Sequence, residues 1–443
     1  MSVQSIKSKL TDKIKALEPV FLNLNTALNK MPELGFKEEK TAEFVRRFLC
    51  EHFPEAHIEH GIALTGIRAT VPCGNPQGIN LALLCELDAV ITPGHPDADP
   101  VTGAAHSCGH ATQIAVMLGL MLALKQSGVM DDLCGSVTFL AVPAEEYVEL
   151  EYRQNLRKTG RVTYLSGKQE FVRLGVLDDV DILMMAHAQP QADKGVFFVD
   201  GGSLGFTAKI VRFTGKESHA GASPHEGVNA LNAATAAMMC IHCNRETFRD
   251  EDHIRVHPII TAGGDLVNIV PAHVTMETFV RGKTKEAIES ACEKVDRSIA
   301  AGCLAVGATG LIENIPGYLP MRQDKTLSTL FAQNAETLPG AVNVVWNRDM
   351  PGSSDIGDLS YLMPVIQPTV GGYRGEAHAA EFCMTDPETT LFHTAAAIGM
   401  TCVDLLADNS ALGQKVAEQF SPLLTKEGYL EYLDGAFELK SVP

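Results

Sequence analysis

The chain has 443 residues, 45% of them hydrophobic and 20% charged, as in a soluble globular protein with a sizeable core. At ~100–200 residues per domain, this length predicts about two domains. Lys and Arg total 36 and Asp and Glu total 54, so the formal net charge is −18. Nucleic acids and anionic membranes need a basic protein surface, so we expect neither as a partner. A small anionic substrate needs only a local basic spot.

The cysteines indicate a reducing compartment. There are 11 of them, an odd number, spread from Cys50 to Cys402 without regular spacing, which favours free thiols. The first residues contain no apolar signal core. The longest apolar stretch, residues 114–124, is shorter than the ~20 residues of a membrane span. We therefore expect a cytoplasmic protein.

In the first part of the chain, helical and strand-like patterns alternate. Apolar residues at helical spacing predict helix over residues 12–50, with a break at Pro32 and Gly35. The patterns that follow are strand 78–87, helix 112–125, strand 136–144 and strand 180–186. This alternation predicts an α/β fold with helices on both faces of a sheet.

Near Gly201 the pattern changes to the order β-α-β-β-α. The segments are 206–214, 229–244, 253–261, 274–281 and 284–306. This order predicts a small α+β domain with an antiparallel sheet. The α/β pattern then returns and ends in helices near 389–407 and 411–422. We therefore predict a large domain formed by residues 1–201 and 313–443, interrupted by a smaller domain at 202–312.

The motif AHSCGHAT, residues 105–112, contains the densest chemical signal. Cys108 and His110 stand two residues apart, just before an apolar helix. Thiolate and imidazole are good ligands for a borderline-soft metal such as zinc, and a helix N-terminus favours the thiolate. A buried cysteine beside a hydrogen-bonded histidine explains this short motif equally well.

Three more segments place ligand-capable residues at or after strand ends. Glu145 and Glu146 follow one strand, His187 closes another, and His378 lies in a Gly-rich loop. Taken singly, they suit a solvated acidic turn or structural histidines. Together with Cys108 they lie where open α/β sheets build sites. The set is too large for one tetrahedral zinc ion, so it predicts two metals that share a bridging ligand.

The order of several motifs resembles the aminoacylase/carboxypeptidase family of di-metal peptidases. The chain is most similar to the amidohydrolase branch that holds hippurate, auxin-conjugate and aminobenzoyl-glutamate hydrolases. The CGH, EE and SHAG blocks are specific, whereas GSSD alone is weak. The resemblance covers residues 31–386 and rests on GFKEEKT, ELDAV, HSCGHAT, PAEE, AHAQP, GKESHAGASPHEGVNA, VNIVPAHV, GSSD and AHAAEF. It implies a large mixed-sheet α/β/α metallopeptidase domain and an inserted smaller α+β lid domain, through which two subunits form a homodimer.

The resemblance also implies a metal shell. Cys108 takes the bridging position that other branches fill with Asp, and Asp88 matches a carboxylate that orients a ligand side chain. Glu86 stands where other branches carry a metal-binding histidine, so the chain resembles the Cys-bridged branch. The remaining ligands implied by the resemblance are His110, Glu146, His187 and His378.

The catalytic and substrate-binding positions follow from the same resemblance. Glu145 matches the general base and acid. His219 matches a lid histidine that reaches into the active site of the partner subunit and stabilises the oxyanion. Asn268 and Arg281 match polar lid positions that can hold a substrate carboxylate.

Some features depart from the family pattern. The usual CGHD block reads CGHAT, and Met31 replaces the usual histidine before PELGF. Residues 150–172 form a longer connection than the branch normally has. We expect this segment to be a solvated insert, with a cover over the pocket or an attractor for anionic substrates as alternatives. Its basic cluster consists of Arg153, Arg157, Lys158, Arg161 and Lys168.

These features predict a metal-dependent amidohydrolase that cleaves N-acyl amino acids or short peptide-like amides. The expected cofactors are two divalent ions, zinc first, with manganese, cobalt or nickel open. A cytosolic dipeptidase or aminopeptidase-like hydrolase of the same family is the alternative. A non-catalytic binding protein of this fold is the alternative from a different class.

Overall fold

The computed structural model describes residues 1–190, 193–340 and 342–443. The chain forms two compact units. Unit 1 comprises Met1–Gly202, Arg322–Asp349 and Leu359–Leu423, and unit 2 comprises Ser203–Met321, Met350–Asp358 and Leu424–Pro443. The sequence prediction assigned all of 313–443 to the large domain. In the structure, three short segments of that range, residues 313–321, 350–358 and 424–443, cluster with the smaller unit.

The helices of the described residues are numbered in chain order. They are α1 (Val3–Ala16), α2 (Glu18–Asn29), α3 (Glu39–His52), α4 (His110–Gln126), α5 (Leu150–Lys158), α6 (Gly167–Arg173), α7 (Ala230–Cys243), α8 (Lys285–Val306), α9 (Lys325–Glu336), α10 (Ile356–Leu359), α11 (Thr394–Leu406), α12 (Ala411–Gln419) and α13 (Lys426–Ala436).

The strands are numbered in the same way. They are β1 (His57–Ile62), β2 (Gly66–Pro72), β3 (Asn75–Glu86), β4 (Val90–Ile91), β5 (Ala104–Ala105), β6 (Cys134–Val142), β7 (Ile182–Met184), β8 (His187–Ala188), β9 (Val196–Val199), β10 (Gly205–Thr214), β11 (Arg255–Val256), β12 (Ile259–Ala262), β13 (His273–Gly282), β14 (Thr309–Pro316), β15 (Asn343–Trp346), β16 (Val365–Ile366), β17 (Thr369–Val370), β18 (Tyr373–Arg374), β19 (Cys383–Met384) and β20 (Glu438–Val442).

Unit 1 is built around a mixed six-stranded sheet in the order β1-β2-β6-β3-β7-β16. The pairs β1/β2 and β2/β6 are antiparallel, whereas β6, β3, β7 and β16 run parallel. Every residue of β3 from Ile79 to Glu86 is buried, as expected for a parallel strand that is covered on both faces. The α/β class predicted from the sequence is confirmed.

Helix α4 is a core helix rather than an amphipathic one. Its residues are buried from His110 to Leu124, because it packs against α2 and α11 as well as the sheet. The stretch Glu388–Leu406, which ends in α11, has the length and hydropathy of a membrane span. However, 89% of that window is buried inside the protein, as in the core helices of soluble proteins.

Unit 2 contains an antiparallel sheet in the order β11-β13-β10-β14-β20, and β12 also pairs with β13. Strand β13 alternates buried and more exposed residues, so one of its faces packs on a core and the other does not. Side chains from the sheet and from α7 and α8 form that core, which includes Val211, Ala234 and Ile299. Strand β20 adds to the sheet from the C-terminal region.

The contact between α2 and α4 gives a stability prediction. A β-carbon on Gly119 would lie 2.3 Å from Cε1 of Phe21, whose ring is fully buried. We expect Gly119→Ala to lower the free energy of unfolding by about 1–3 kcal/mol through overpacking.

The matched control is Gly435→Ala in α13, where no atom lies within 4 Å of the added carbon. This change should raise the free energy of unfolding by about 0.5–1 kcal/mol through helix propensity. Urea unfolding followed by circular dichroism measures both variants. Equal stabilisation by the two alanines would contradict the close contact at Gly119.

Candidate metal centre and active site

The site forms where neighbouring parallel strands end. Strands β6, β3 and β7 are adjacent and parallel, and they end at Val142, Glu86 and Met184. The loops that follow therefore meet at one edge of the sheet, where open α/β sheets place their ligands. These loops bring Asp88, Glu145, Glu146 and His187 to the same region of unit 1.

A glycine lets the HSCGH segment enter α4. Gly109 has a φ of 88° at the N-cap of the helix, a left-handed conformation that costs a residue with a β-carbon extra energy. A β-carbon there would also lie 2.6 Å from Cβ of Ala188. This turn gives Cys108 and His110, on either side of Gly109, access to the same site.

Two groups of candidate metal ligands share one sulfur atom. In the first group the donor atoms of Cys108, His110 and His187 lie within 4.8 Å of one another, and in the second those of Cys108, Glu146 and His378 do. Cys108 Sγ is 3.7 Å from His187 Nε2 and 3.4 Å from His378 Nε2. All five predicted metal ligands therefore converge, with Cys108 common to both groups.

Asp88 and Glu86 surround His110. The Nδ1 atom of His110 is 2.8 Å from the carbonyl oxygen of Asp88 and 3.4 Å from its Oδ1, which leaves Nε2 to face the other donors. Asp88 Oδ2 accepts a hydrogen bond of 2.9 Å from the backbone N–H of Glu146. Asp88 thus contacts two of the candidate ligands, in keeping with the orienting position that the resemblance implies.

Glu145 completes a third group of donors. Its Oε2 lies 3.9 Å from His110 Nε2, and the donor atoms of Glu86, His110 and Glu145 lie within 4.8 Å of one another. Glu145 and Glu146 are both buried. Glu145 is therefore next to the metal-binding groups but outside both of the groups that contain Cys108.

His378 comes from the loop between β18 and β19. Its φ of 64° places it in the left-handed region, and its backbone N–H donates to the carbonyl oxygen of Ser107 at 2.9 Å. This bond ties the loop to the segment that carries Cys108. Its side chain is 51% exposed, whereas the other four candidate ligands are buried.

The charges of the site are strongly coupled. Burial and the Glu146 carboxylate oppose ionisation of Cys108, but the charge of His187 and its hydrogen bond to the sulfur lower the pKa of the thiol to about 6. The hydrogen bond to Cys108 and the charge of Glu146 raise the pKa of His378 to about 11. Burial disfavours the Glu146 carboxylate, yet His378 and His110 lower its pKa to about 2. Anionic donors are thus held together by imidazolium protons that a divalent cation would displace.

The donor set fits divalent metals. His110 Nε2 and Glu146 Oε1 are buried and make no hydrogen bond of good geometry, although charged neighbours lie 3.1 and 3.2 Å away. Buried polar atoms of this kind require a partner. Sulfur, imidazole and carboxylate donors are the ligands of borderline-soft divalent ions.

Arg153 supports the loop that carries the two glutamates, a role that sequence reasoning missed. It is almost fully buried and donates to the carbonyl oxygens of Ala144, Leu165 and Glu146. Ala144 has a φ of 57°, so the loop turns sharply before Glu145. Arg153 satisfies carbonyl groups that this turn removes from the sheet.

The basic cluster of residues 150–172 is only partly a solvated insert. Arg157, Lys158 and Arg161 are exposed, in agreement with that expectation. Arg153 and Lys168 are buried, so for these two residues the expectation is wrong. Burial of these charges is possible because Arg153 donates to three carbonyl oxygens and Lys168 is paired with the Glu86 carboxylate.

The other three predicted residues lie in unit 2. Nδ1 of His219 accepts hydrogen bonds from the backbone N–H groups of Gly221 and Ala222 at 3.1 and 2.9 Å. Its proton therefore lies on Nε2, which becomes a donor. The carbonyl oxygen of Asn268 accepts from the N–H of Ala220 at 2.9 Å, so Asn268 is next to the His219 segment.

Arg281 lies on β13. Its guanidinium packs over Phe206 and Phe279 and donates to Ser353 Oγ at 2.5 Å. Its position is therefore set by aromatic and hydroxyl neighbours within unit 2. The substrate-binding roles of Arg281 and Asn268 stay predictions.

Comparisons with known proteins point to one class of enzyme. Residues 201–304 match the family described as a peptidase dimerisation domain. An Xaa-Arg dipeptidase of Mus musculus is 27% identical over 97% of this chain and 95% of its own length. An N-acetylcysteine deacetylase of Bacillus subtilis is 27% identical over 79% of this chain and 87% of its own.

Among solved structures, a dinuclear metal-binding peptidase of the M20 family from Bacillus subtilis has a similar fold. The TM-score is 0.67 at 23% identity, and the match covers 88% of this chain and 99% of that one. The family resemblance inferred from the sequence is confirmed, and the chain is related to the metal-dependent peptidases and amidohydrolases. It is an enzyme of this class, a hydrolase of carbon–nitrogen amide bonds.

The buried carboxyl group of Glu38 gives a prediction of how the stability of the fold depends on pH. It is fully buried; its Oε1 accepts from the N–H of Ala144 at 2.8 Å and its Oε2 from the Thr65 hydroxyl at 2.6 Å. Burial, and then the charge of Asp88, raise the pKa of Glu38 from 4.5 to about 7. A raised carboxyl pKa favours folding while the group is protonated, so this stabilisation is complete below pH 4.5 and is lost as the pH rises through 7.

We expect Glu38→Gln to remove this loss. Between pH 5 and 8 the metal-free variant should gain up to about 3 kcal/mol relative to the wild type. Urea unfolding across this pH range in the presence of a chelator measures the difference. The control is Glu39→Gln at the neighbouring, exposed position. If the unfolding free energies of Glu38→Gln and wild type change in parallel with pH, the prediction is refuted.

Proposed function

We propose that this protein hydrolyses the amide bond of N-acyl amino acids or short peptide-like substrates with the aid of two divalent metal ions. The observation that carries the proposal is the pair of donor groups that share Cys108. One ion would be held by Cys108, His110 and His187, and the other by Cys108, Glu146 and His378. When bound, the ions would polarise the scissile carbonyl and activate a water molecule.

We propose zinc as the physiological metal, because thiolate, imidazole and carboxylate together suit it. Manganese, cobalt and nickel are the alternatives. Elemental analysis of the protein purified without added metal, with a search for the ion that restores activity to the chelated protein, identifies the metal.

The chain's own residues would carry the proton transfers. Glu145 would take a proton from the attacking water on a carboxylate oxygen while the new carbon–oxygen bond forms. It would then deliver that proton to the leaving nitrogen as the carbon–nitrogen bond breaks, so that the products are a carboxylic acid and an amine. Its place beside the group that contains His110, at 3.9 Å from His110 Nε2, supports this role.

The smaller unit would act as lid and dimerisation domain, which we place at residues 202–312. Its match to a peptidase dimerisation domain supports a homodimer, as do the exposed apolar side chains of Leu266, Val267 and Met239. His219 would cross into the partner subunit's site and donate from Nε2 to the developing oxyanion. Asn268 and Arg281 would hold the carboxylate of the substrate.

A dipeptidase is the second candidate, because a relative named Xaa-Arg dipeptidase aligns over 97% of this chain. A panel of acyl-glycines, acyl-glutamates and dipeptides separates the two candidates. A dipeptidase needs the free α-amine of its substrate, whereas an acyl-amino acid hydrolase does not. A non-catalytic binding role is not favoured, since the relatives are named hydrolases. We place the enzyme in the cytosol, because all its cysteines are free thiols.

Glu145→Gln tests the proton-transfer role. We expect kcat to fall by about 10²–10⁴-fold, because the amide cannot accept the proton of water. Both metal ions should remain bound. Kinetics on one acyl-amino acid and elemental analysis measure the two properties.

Glu146→Gln is the matched control in the adjacent position. It should lose the ion that Cys108, Glu146 and His378 would hold, so that metal content and activity fall together. Normal turnover by a fully loaded Glu145→Gln enzyme would rule out Glu145 as the base.

His219→Ala tests action across the dimer. Removal of one oxyanion donor should lower kcat by about 10²–10³-fold, while the exposed neighbour His225→Ala should remain active. Mixing His219→Ala chains with Glu145→Gln chains should restore about a quarter of wild-type activity, because half of the dimers then contain one complete site. Activity that stays at background in verified mixed dimers would place His219 outside the partner's site.

A further inference from the structure

A buried ion pair lies at the edge of the metal centre. Lys168 on α6 donates to Oε1 of Glu86 at 2.5 Å, and both side chains are completely buried. The donor groups that share Cys108 do not include either residue. Lys168 comes from the segment 150–172, for which the sequence predicted a solvated insert.

The second oxygen of Glu86 points to the metal-binding groups. Oε2 lies 3.1 Å from His110 Nε2 and accepts a hydrogen bond from Gln113 Nε2 at 2.9 Å. Glu86 also forms a donor group with His110 and Glu145. A cation held by His110 Nε2 would therefore have the Glu86 carboxylate within reach as an additional ligand.

The charge of that carboxylate must be balanced in a buried site. Without a counter-charge, a metal ion next to His110 would be the nearest positive charge to Glu86 and would attract it into its shell. An extra anionic ligand holds a cation more tightly and lowers its ability to polarise a carbonyl. With Lys168 in place, the Glu86 carboxylate already has a charged partner.

We propose that Lys168 is a positioning residue that neutralises Glu86 and keeps it out of the shell of the metal held by Cys108, His110 and His187. This inference rests on the proposed function, because it concerns the same metal centre. The segment 150–172 then supplies the site with two internal cations. Arg153 supports the loop of Glu145 and Glu146, and Lys168 sets the charge beside His110.

The metal-depleted protein is titrated with zinc in competition with a chromophoric chelator, which tests the proposal without substrate. We expect Lys168→Met to bind zinc ~10–100-fold more tightly at this half-site and to lose a similar factor in kcat. The same titration in a His378→Ala variant, which lacks a ligand of the other ion, identifies the binding step that belongs to the ion held by Cys108, His110 and His187. A pair with only a structural role predicts unchanged or weaker zinc binding, and either result would overturn the proposal.

The double variant Glu86→Gln/Lys168→Met is the charge-balanced control. It removes both charges, so its zinc affinity and kcat should return to within about threefold of the wild type. A double variant as altered as the single one would also overturn the proposal. Near-UV circular dichroism confirms that each variant is folded.

Glu86→Gln alone keeps the test decisive if Lys168→Met does not fold. Since Glu86 is held outside the shell, this variant should retain both zinc ions, whereas loss of an ion would identify Glu86 as a ligand and refute the proposal. The proposed function fails separately. A wild-type protein that binds two zinc ions but hydrolyses no acyl-amino acid or dipeptide would refute that function, and the zinc affinities would still decide the role of Lys168.

Discussion

The position of one sulfur atom governs the site. Cys108 Sγ lies within hydrogen-bonding distance of both His187 and His378, so both donor groups exist only while it stays between them. Burial alone would keep its thiol protonated, and the surrounding imidazoles reverse that preference. The remaining donors are therefore arranged around a buried thiol whose ionisation the neighbouring imidazoles favour.

Holding that arrangement requires unusual backbone conformations. Gly109, Ala144 and His378 all have φ between 57° and 88°, and each belongs to a different segment of the site. Left-handed conformations cost residues with a β-carbon roughly 1–2 kcal/mol. Hydrogen bonds offset this cost at two of these residues. Ala144 is bonded to Glu38 and Arg153, and His378 is bonded to Ser107. Sites commonly carry such local strain.

The sequence predicted the parts of the site whose pattern is local. Strands β3 and β6 and helix α4 are long apolar runs. Glu145 follows the end of β6, and Cys108 stands just before the start of α4. The basic residues of 150–172 could not be sorted in this way. Arg153 and Lys168 have the same local composition as their exposed neighbours, and only tertiary contacts with Ala144 or Glu86 distinguish them. The short strands β9 and β15, which pair with each other across a long stretch of chain, were missed because their pairing is set by distant partners.

The discontinuity of unit 2 has a consequence for dissecting the protein. Strand β14 pairs with β10 on one side and with β20 on the other, although β20 follows more than a hundred residues later in the chain. A fragment cut at the end of unit 2's longest segment would leave β14 as an open edge with unpaired backbone groups. Open edges of this kind recruit strands from other molecules. Isolated expression of residues 203–321 would therefore favour self-association through this open edge, and oligomeric states are best measured on the whole chain.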